Sequence, residues 1–170
     1  MKKPLLAALA LALLTLAGTS FAASFVAAPL SGQNEVPANT SKAHGTAIFD
    51  LSDDGSRIDY KVIVANIDNV TMSHIHLAPK GENGSIVAFL FGPAAAGGGR
   101  SNGILATGTL TAASLIGPLA GQPLSALIDA MRAGNAYVNV HTNDGVDPPN
   151  TGPGDIPGGE IRAQIRASED

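Results

Sequence analysis

The sequence contains no cysteine. This absence excludes disulfide bonds, metal sites built on thiolates and a lipid-modified N-terminal cysteine. Charged residues make up only 14% of the chain, and the formal net charge is −4. An acidic chain offers no electrostatic attraction for nucleic acid or for an anionic membrane, so neither is predicted as a partner. The sequence also lacks a phosphate-binding loop, a dinucleotide-binding motif and a nucleophile elbow, which disfavours an enzymatic function and leaves no catalytic residue to name.

The first 22 residues have the composition of a secretory signal peptide. Two lysines give a positive start, an apolar run covers residues 5–16, and residues 20–22 carry small side chains at both ends, as a cleavage site requires. The run is shorter than the ~20 apolar residues that span a bilayer. We therefore predict cleavage after Ala22, a mature chain without a transmembrane segment, and export to the periplasm or the extracellular space. An uncleaved N-terminal anchor is the alternative.

Residues 23–170 are predicted to form a single domain, because domains commonly contain ~100–150 residues. Twenty glycines and eleven prolines with few charges indicate β structure with many turns. Short strand-like runs at fairly regular spacing favour a mostly β fold, an antiparallel Greek-key β-sandwich or barrel of the immunoglobulin-like or superoxide-dismutase-like kind, with one short helix.

The strands follow from alternating apolar residues and turn signals. Residues 46–51 and 57–64 alternate on either side of an Asp-Gly turn, which predicts a hairpin. Further strands are predicted over residues 70–77, 85–91, 104–111, 136–142 and 160–166. Residues 94–103 and 143–159 are rich in glycine, proline or small polar residues and are predicted as loops.

The one predicted helix lies between Pro123 and Gly134. Apolar residues recur at i, i+3, i+4 and i+7 from Leu124, as on one face of an amphipathic helix. Proline suits the first helical position, and glycine suits the residue just past the end.

Three of the four histidines lie in two predicted strands. His74 and His76 are two residues apart, so their side chains project from the same face. His141 shares its face with Tyr137 and Asn139 in the later strand. If these strands are neighbours, three imidazoles lie together. Neutral imidazole binds copper and zinc, and three protein ligands leave one coordination position open.

Other uses of these histidines remain open. They are either structural residues bonded to the backbone or to a carboxylate, or ligands of copper or zinc, or acid–base groups. For the metal site, Glu35 and Glu160 are the candidates to accept the second N–H of a histidine. Glu160 is also predicted to form a structural pair with Arg162, two residues further along the same strand face.

Four segments of the chain resemble the chordin-type (CHRD) domain family. They are residues 30–37 (LSGQNEVP), 73–76 (SHIH), 133–142 (AGNAYVNVHT) and 159–165 (GEIRAQI). Their order and spacing match the family across about residues 28–166. Ala163 stands where the family usually has glycine, which affects only the local backbone.

The resemblance implies an extracellular or periplasmic β-sandwich-like domain. On this basis we predict an exported, non-enzymatic binding or structural module, whose partner is an unknown protein or small ligand, with a periplasmic copper- or zinc-binding protein as the alternative. The histidine pattern also resembles part of the copper site of copper–zinc superoxide dismutase. Because only three ligands are evident, dismutase activity is not predicted.

Overall fold

The computed structural model describes residues 24–168; the predicted signal peptide lies outside this range. The described residues form eight strands and one α-helix. Their bounds are β1 Ser24–Ser31, β2 His44–Leu51, β3 Ile58–Asp68, β4 Val70–Leu77, β5 Ser85–Phe91, β6 Arg100–Leu110, α1 Leu124–Arg132, β7 Ala136–Thr142 and β8 Ile161–Ala167. Short 3-10 helices cover Gly32–Asn34, Ala112–Ser114 and Gly117–Leu119.

All eight strands belong to one antiparallel sheet with the order β5-β4-β7-β8-β1-β2-β3-β6. The sheet curls until its two edge strands, β5 and β6, lie near each other. The Tyr60 hydroxyl of β3 spans this seam and donates to the Leu90 carbonyl of β5 at 2.8 Å. The result is a nearly closed barrel, which confirms the predicted antiparallel β-sandwich or barrel with one short helix.

The core lies inside the barrel, where the inward-facing residues of the strands are almost fully buried. Its largest apolar members include Phe25, Phe49, Ile58, Ile75, Ile161 and Ile165. The helix α1 contacts β7 and β8. It buries the four residues of its predicted apolar face, Leu124, Leu127, Ile128 and Met131. The helix ends as predicted, with Gly134 at a φ of 69° just beyond it.

The predicted strands over 70–77, 85–91 and 136–142 are confirmed. The predicted loop over 94–103 is wrong at its end, because β6 begins at Arg100. Arg100 pairs with Asp68 of β3 in the ladder, and its guanidinium lies 3.0 Å from the Asp68 carboxylate. Pairing with β3 therefore outweighs the glycine content that indicated a loop. The sequence also did not predict β1, whose alternation is interrupted by Pro29.

Within residues 24–168, no helix is both long and apolar enough to cross a membrane.

Candidate metal centre

The candidate site lies on the outward face of the neighbouring strands β4 and β7. Between residues 72 and 77, β4 pairs with β7 without a register shift, so that His76 stands opposite Tyr137 and His74 opposite Asn139. Because alternate residues of a strand share a face, His74, His76 and His141 project to the same side of the sheet. The neighbouring strands thus bring together the three histidines that sequence analysis singled out.

Both faces of β7 are buried, although its outward face carries polar residues. Residues 143–159 form a long loop that returns along this face. The Thr142 hydroxyl accepts the Ile156 N–H at 3.0 Å, and His141 Nδ1 lies 2.8 Å from the Pro157 carbonyl. The loop therefore covers the histidines, and the exposed fractions of His74, His76 and His141 are only 1%, 8% and 7%.

The three imidazole rings are in mutual contact range. The ring centroids of His74 and His141 are 4.8 Å apart, and those of His74 and His76 are 5.6 Å apart. The shortest contact joins His74 Nδ1 to His141 Nε2 at 3.1 Å. One ligand atom from each of the three rings can be chosen so that no two are more than 4.8 Å apart.

Backbone carbonyls fix the tautomers of two of the rings. His76 Nδ1 lies 2.9 Å from the Gly84 carbonyl, and His141 Nδ1 has the corresponding contact with Pro157. A carbonyl can only accept, so each Nδ1 carries the proton and each neutral ring has its lone pair on Nε2. His74 Nδ1 must then donate to His141 Nε2, which leaves the His74 lone pair on Nε2.

Two of these lone pairs have no partner. His74 Nε2 and His76 Nε2 are buried and make no hydrogen bond to any described residue. Leaving a buried polar atom unpaired costs roughly 1–3 kcal/mol. Such atoms call for an explanation, and a bound ion is one that suits the lone pair of a neutral imidazole.

The site keeps its histidines neutral. Burial, together with the neighbouring His141 and His76, lowers the pKa of His74 to about 3. Burial also lowers the pKa of His76 and that of His141, against the opposing effect of the Gly84 and Pro157 carbonyls and, for His76, of the Asn139 side chain. A metal ion would therefore meet unprotonated ligands, and binding it would require no release of protons from these rings near neutral pH.

The separations fit a shared ion after a small adjustment. Nitrogens that bind zinc tetrahedrally at about 2.0–2.1 Å lie about 3.4 Å apart. The 3.1 Å contact between His74 Nδ1 and His141 Nε2 is an N–H···N hydrogen bond, so an ion bound by His141 Nε2 would replace this bond. No separation in the set exceeds 4.8 Å, so the rings would need to close by at most about 1.4 Å, which small rotations about their side-chain bonds can supply.

Aromatic rings surround the cluster. Phe89 of β5 lies edge-on to His74, with the ring centroids 4.5 Å apart. The Tyr137 ring stacks on the His76 ring, with the ring centroids 4.8 Å apart and an angle of 9° between the planes. The Arg162 guanidinium lies over the Tyr137 ring, 3.9 Å from its centroid. Strand alternation in β5 and β7 places Phe89 and Tyr137 beside the histidines. Phe89 was not predicted from the sequence to belong to the site.

Arg162 connects this stack to the loop that holds His76. Its guanidinium donates to the Asn83 side chain at 2.9 Å and to the Glu82 carbonyl at 2.8 Å. These residues directly precede Gly84, whose carbonyl accepts from His76. A long-range contact thus positions the Gly84 carbonyl.

Glu160 does not contact the histidines. Its carboxylate accepts hydrogen bonds from the Ser41 hydroxyl, the Thr142 hydroxyl and the Gly154 N–H, at 2.6, 2.6 and 2.8 Å. The predicted pair with Arg162 is wrong, because Glu160 precedes β8 and follows Gly159, whose φ of 128° turns the chain. Glu160 instead connects Gly154 of the covering loop to Thr142 at the end of β7 and to Ser41 before β2.

Glu35 is buried beside the site without bonding to a histidine. Its Oε1 has no partner among the described residues. Gly159 separates it from Asn139: a Cβ on this glycine would lie 2.8 Å from Glu35 Oε1 and 2.7 Å from Asn139 Nδ2. Burial raises the pKa of Glu35 to about 7, although the charge of Arg162 and a hydrogen bond with the Val36 backbone lower it.

The fourth histidine lies apart from the cluster. His44 is exposed at the start of β2, and its Nδ1 lies 3.4 Å from the Lys42 carbonyl.

The fold and the site together define a class of protein: a nearly closed antiparallel β-barrel with a buried three-histidine face. Comparison with family models matches the CHRD domain over residues 26–149, and the chain belongs to the CHRD domain family. The resemblance inferred from the sequence motifs is thereby confirmed, although the match ends before the segment at 159–165. A comparison with curated proteins gave no match.

Proposed function

We propose that this CHRD-domain protein is an exported, non-enzymatic metal-binding protein that holds one copper or zinc ion on His74, His76 and His141. The observation that carries the proposal is the pair of backbone carbonyls, Gly84 and Pro157, each fixing an Nδ1–H so that the Nε2 lone pair of its ring turns to the cluster. Metal-binding histidines are commonly oriented in this way, by giving their other ring N–H to a carbonyl or carboxylate.

Export to the periplasm or the extracellular space is part of the proposal and depends on the N-terminal 22 residues. Their positive start, apolar run and small-residue site are those of a cleavable signal peptide. A mature chain beginning near Ala23 would start directly before β1, so cleavage there would leave the barrel whole.

In this proposal the residues of the chain have distinct tasks. His76 and His141 bind through Nε2, and the loop carbonyls orient them. His74 supplies the third nitrogen from the most buried position of the three. Phe89 shields the His74 ring from water. The ion supplies a Lewis-acidic centre with one position open to a further ligand.

The competing hypothesis is a binding or structural module whose histidines only hold the fold. The hydrogen bonds to Gly84 and Pro157 would serve that role by fastening two loops to the sheet. It leaves two buried lone pairs, on His74 Nε2 and His76 Nε2, without a purpose. A purely structural cluster would gain stability by satisfying or removing them.

The test is a titration of the mature chain, residues 23–170, with copper and with zinc, followed by elemental analysis. We expect one equivalent to bind with micromolar or better affinity and His76→Ala to abolish this binding. His44→Ala is the matched control, because His44 is exposed and outside the cluster, and it should bind like the parent chain. Absence of binding in the parent chain, with a lower melting temperature for His76→Ala, would support the structural module.

A further inference from the structure

Met72 lies on the same face of β4 as the histidines. It stands directly opposite His141 in the ladder, and no register shift separates it from His74 and His76. Residues 72, 74 and 76 therefore project together. Met72 was not among the residues predicted from the sequence to form the site, which are all histidines or glutamates.

The thioether can reach an ion bound by His141. Side chains that stand directly opposite each other in an antiparallel pair have Cβ atoms ~4.5–5.5 Å apart. Methionine has three rotatable bonds and a flexible, polarisable end. An ion bound to His141 Nε2 would thus lie within reach of the Met72 sulfur.

The burial of Met72 distinguishes it from a core methionine. Met131 of α1 is fully buried and belongs to the hydrophobic core. Met72 is half-buried on the outward face, beside the cluster of imidazole rings. Its position therefore suits a side chain that serves through its sulfur.

We propose that Met72 provides a sulfur ligand to the ion on His74, His76 and His141, and that this ligand makes the site selective for copper, above all for Cu(I), over zinc. Soft thioethers favour Cu(I), whereas zinc in proteins takes thiolate, imidazole and carboxylate ligands. The chain has no cysteine, so a thioether is the soft donor available to it. This inference rests on the proposed metal-binding function and names its metal.

The test compares Met72→Leu with the parent chain, because leucine preserves the volume and apolar character of methionine. Cu(I) affinity is measured without oxygen by competition with a coloured chelator, and Zn(II) affinity by the same method. We expect Met72→Leu to weaken Cu(I) binding tenfold or more and to change zinc binding less than threefold. X-ray absorption of the copper-loaded parent should show a sulfur neighbour that is lost in the variant.

Met131→Leu is the matched control, since it replaces a methionine in the core, and its Cu(I) affinity should equal that of the parent. If Met72→Leu binds Cu(I) as tightly as the parent, or if copper has no sulfur neighbour, the role of Met72 is overturned while the histidine site stands. If the parent chain binds neither metal, the proposed function itself has failed. The melting temperature of each variant without metal shows whether it is folded.

Discussion

At the scale of single residues, Glu35 is a buried acid whose ionisation opposes folding. Burial raises its pKa from 4.5 to about 7. Between these two values the folded state holds a proton that the unfolded state has released. A rise in pH through this interval therefore lowers the free energy of unfolding, and the full cost is reached above about pH 7.

Glu35→Gln should remove this cost. We expect the variant to be more stable than the parent at pH 8, by up to about 3 kcal/mol, and this advantage to disappear near pH 4, where Glu35 is protonated in both states. Urea unfolding of both chains at the two pH values measures the difference. An equal difference at both values would show that Glu35 ionises as freely in the barrel as in the unfolded chain.

At the scale of elements, the covering loop depends on a glycine at its end. Gly159 has a φ of 128°, and a Cβ there would lie within 3 Å of the Asn139 and Glu35 side chains. We expect Gly159→Ala to lower the free energy of unfolding by about 2 kcal/mol or more, since backbone strain of this kind alone costs of order 1–3 kcal/mol.

The adjacent glycine is a matched control for this change. Gly158 is exposed, and a Cβ on it would meet no atom within 4 Å. Gly158→Ala should therefore change the urea midpoint little. If the two alanine variants unfold at the same midpoint, the close approach at Gly159 is not a constraint on this loop.

Strand alternation predicted the shared histidine face because a period of two is a local property. The spacing of His74 and His76 predicts their common face within three residues. The alternation around His141 predicts the face of that residue in the same way. The partners of these rings could not be predicted in this way. Gly84 and Pro157 contribute backbone carbonyls from loops, and a carbonyl leaves no trace in side-chain identity.

The same limit explains the errors. Glu160 and Arg162 were expected to pair because a continuous strand would put them on one face. The strand begins only at Ile161. Glu160 accepts hydrogen bonds from Ser41, Thr142 and Gly154 instead, and Arg162 donates to Glu82 and Asn83. The start of β6 was missed because its pairing with β3 is a tertiary contact.

At the scale of the whole molecule, the barrel is closed at one seam by a side chain rather than by a ladder. The Tyr60 hydroxyl bonds to the Leu90 carbonyl across it, and the Tyr60 ring lies over Gly108 of β6. Tyr60→Phe keeps the ring and removes the bond. We expect a loss of about 1 kcal/mol, measured by urea unfolding, and faster amide exchange in β5. An unchanged exchange rate in β5 would mean that the seam holds without the hydroxyl.

The two carbonyls that orient His76 and His141 belong to separate surface loops, one before β5 and the other before β8. An ion that moves the two rings closer together must also pull on both loops, because each ring is bonded to its own loop by a hydrogen bond. Binding of an ion at the buried cluster would therefore be detectable at the protein surface, as slower protease cleavage near residues 84 and 157. A partner that recognises those loops could in this way distinguish a loaded molecule from an empty one without touching the ion.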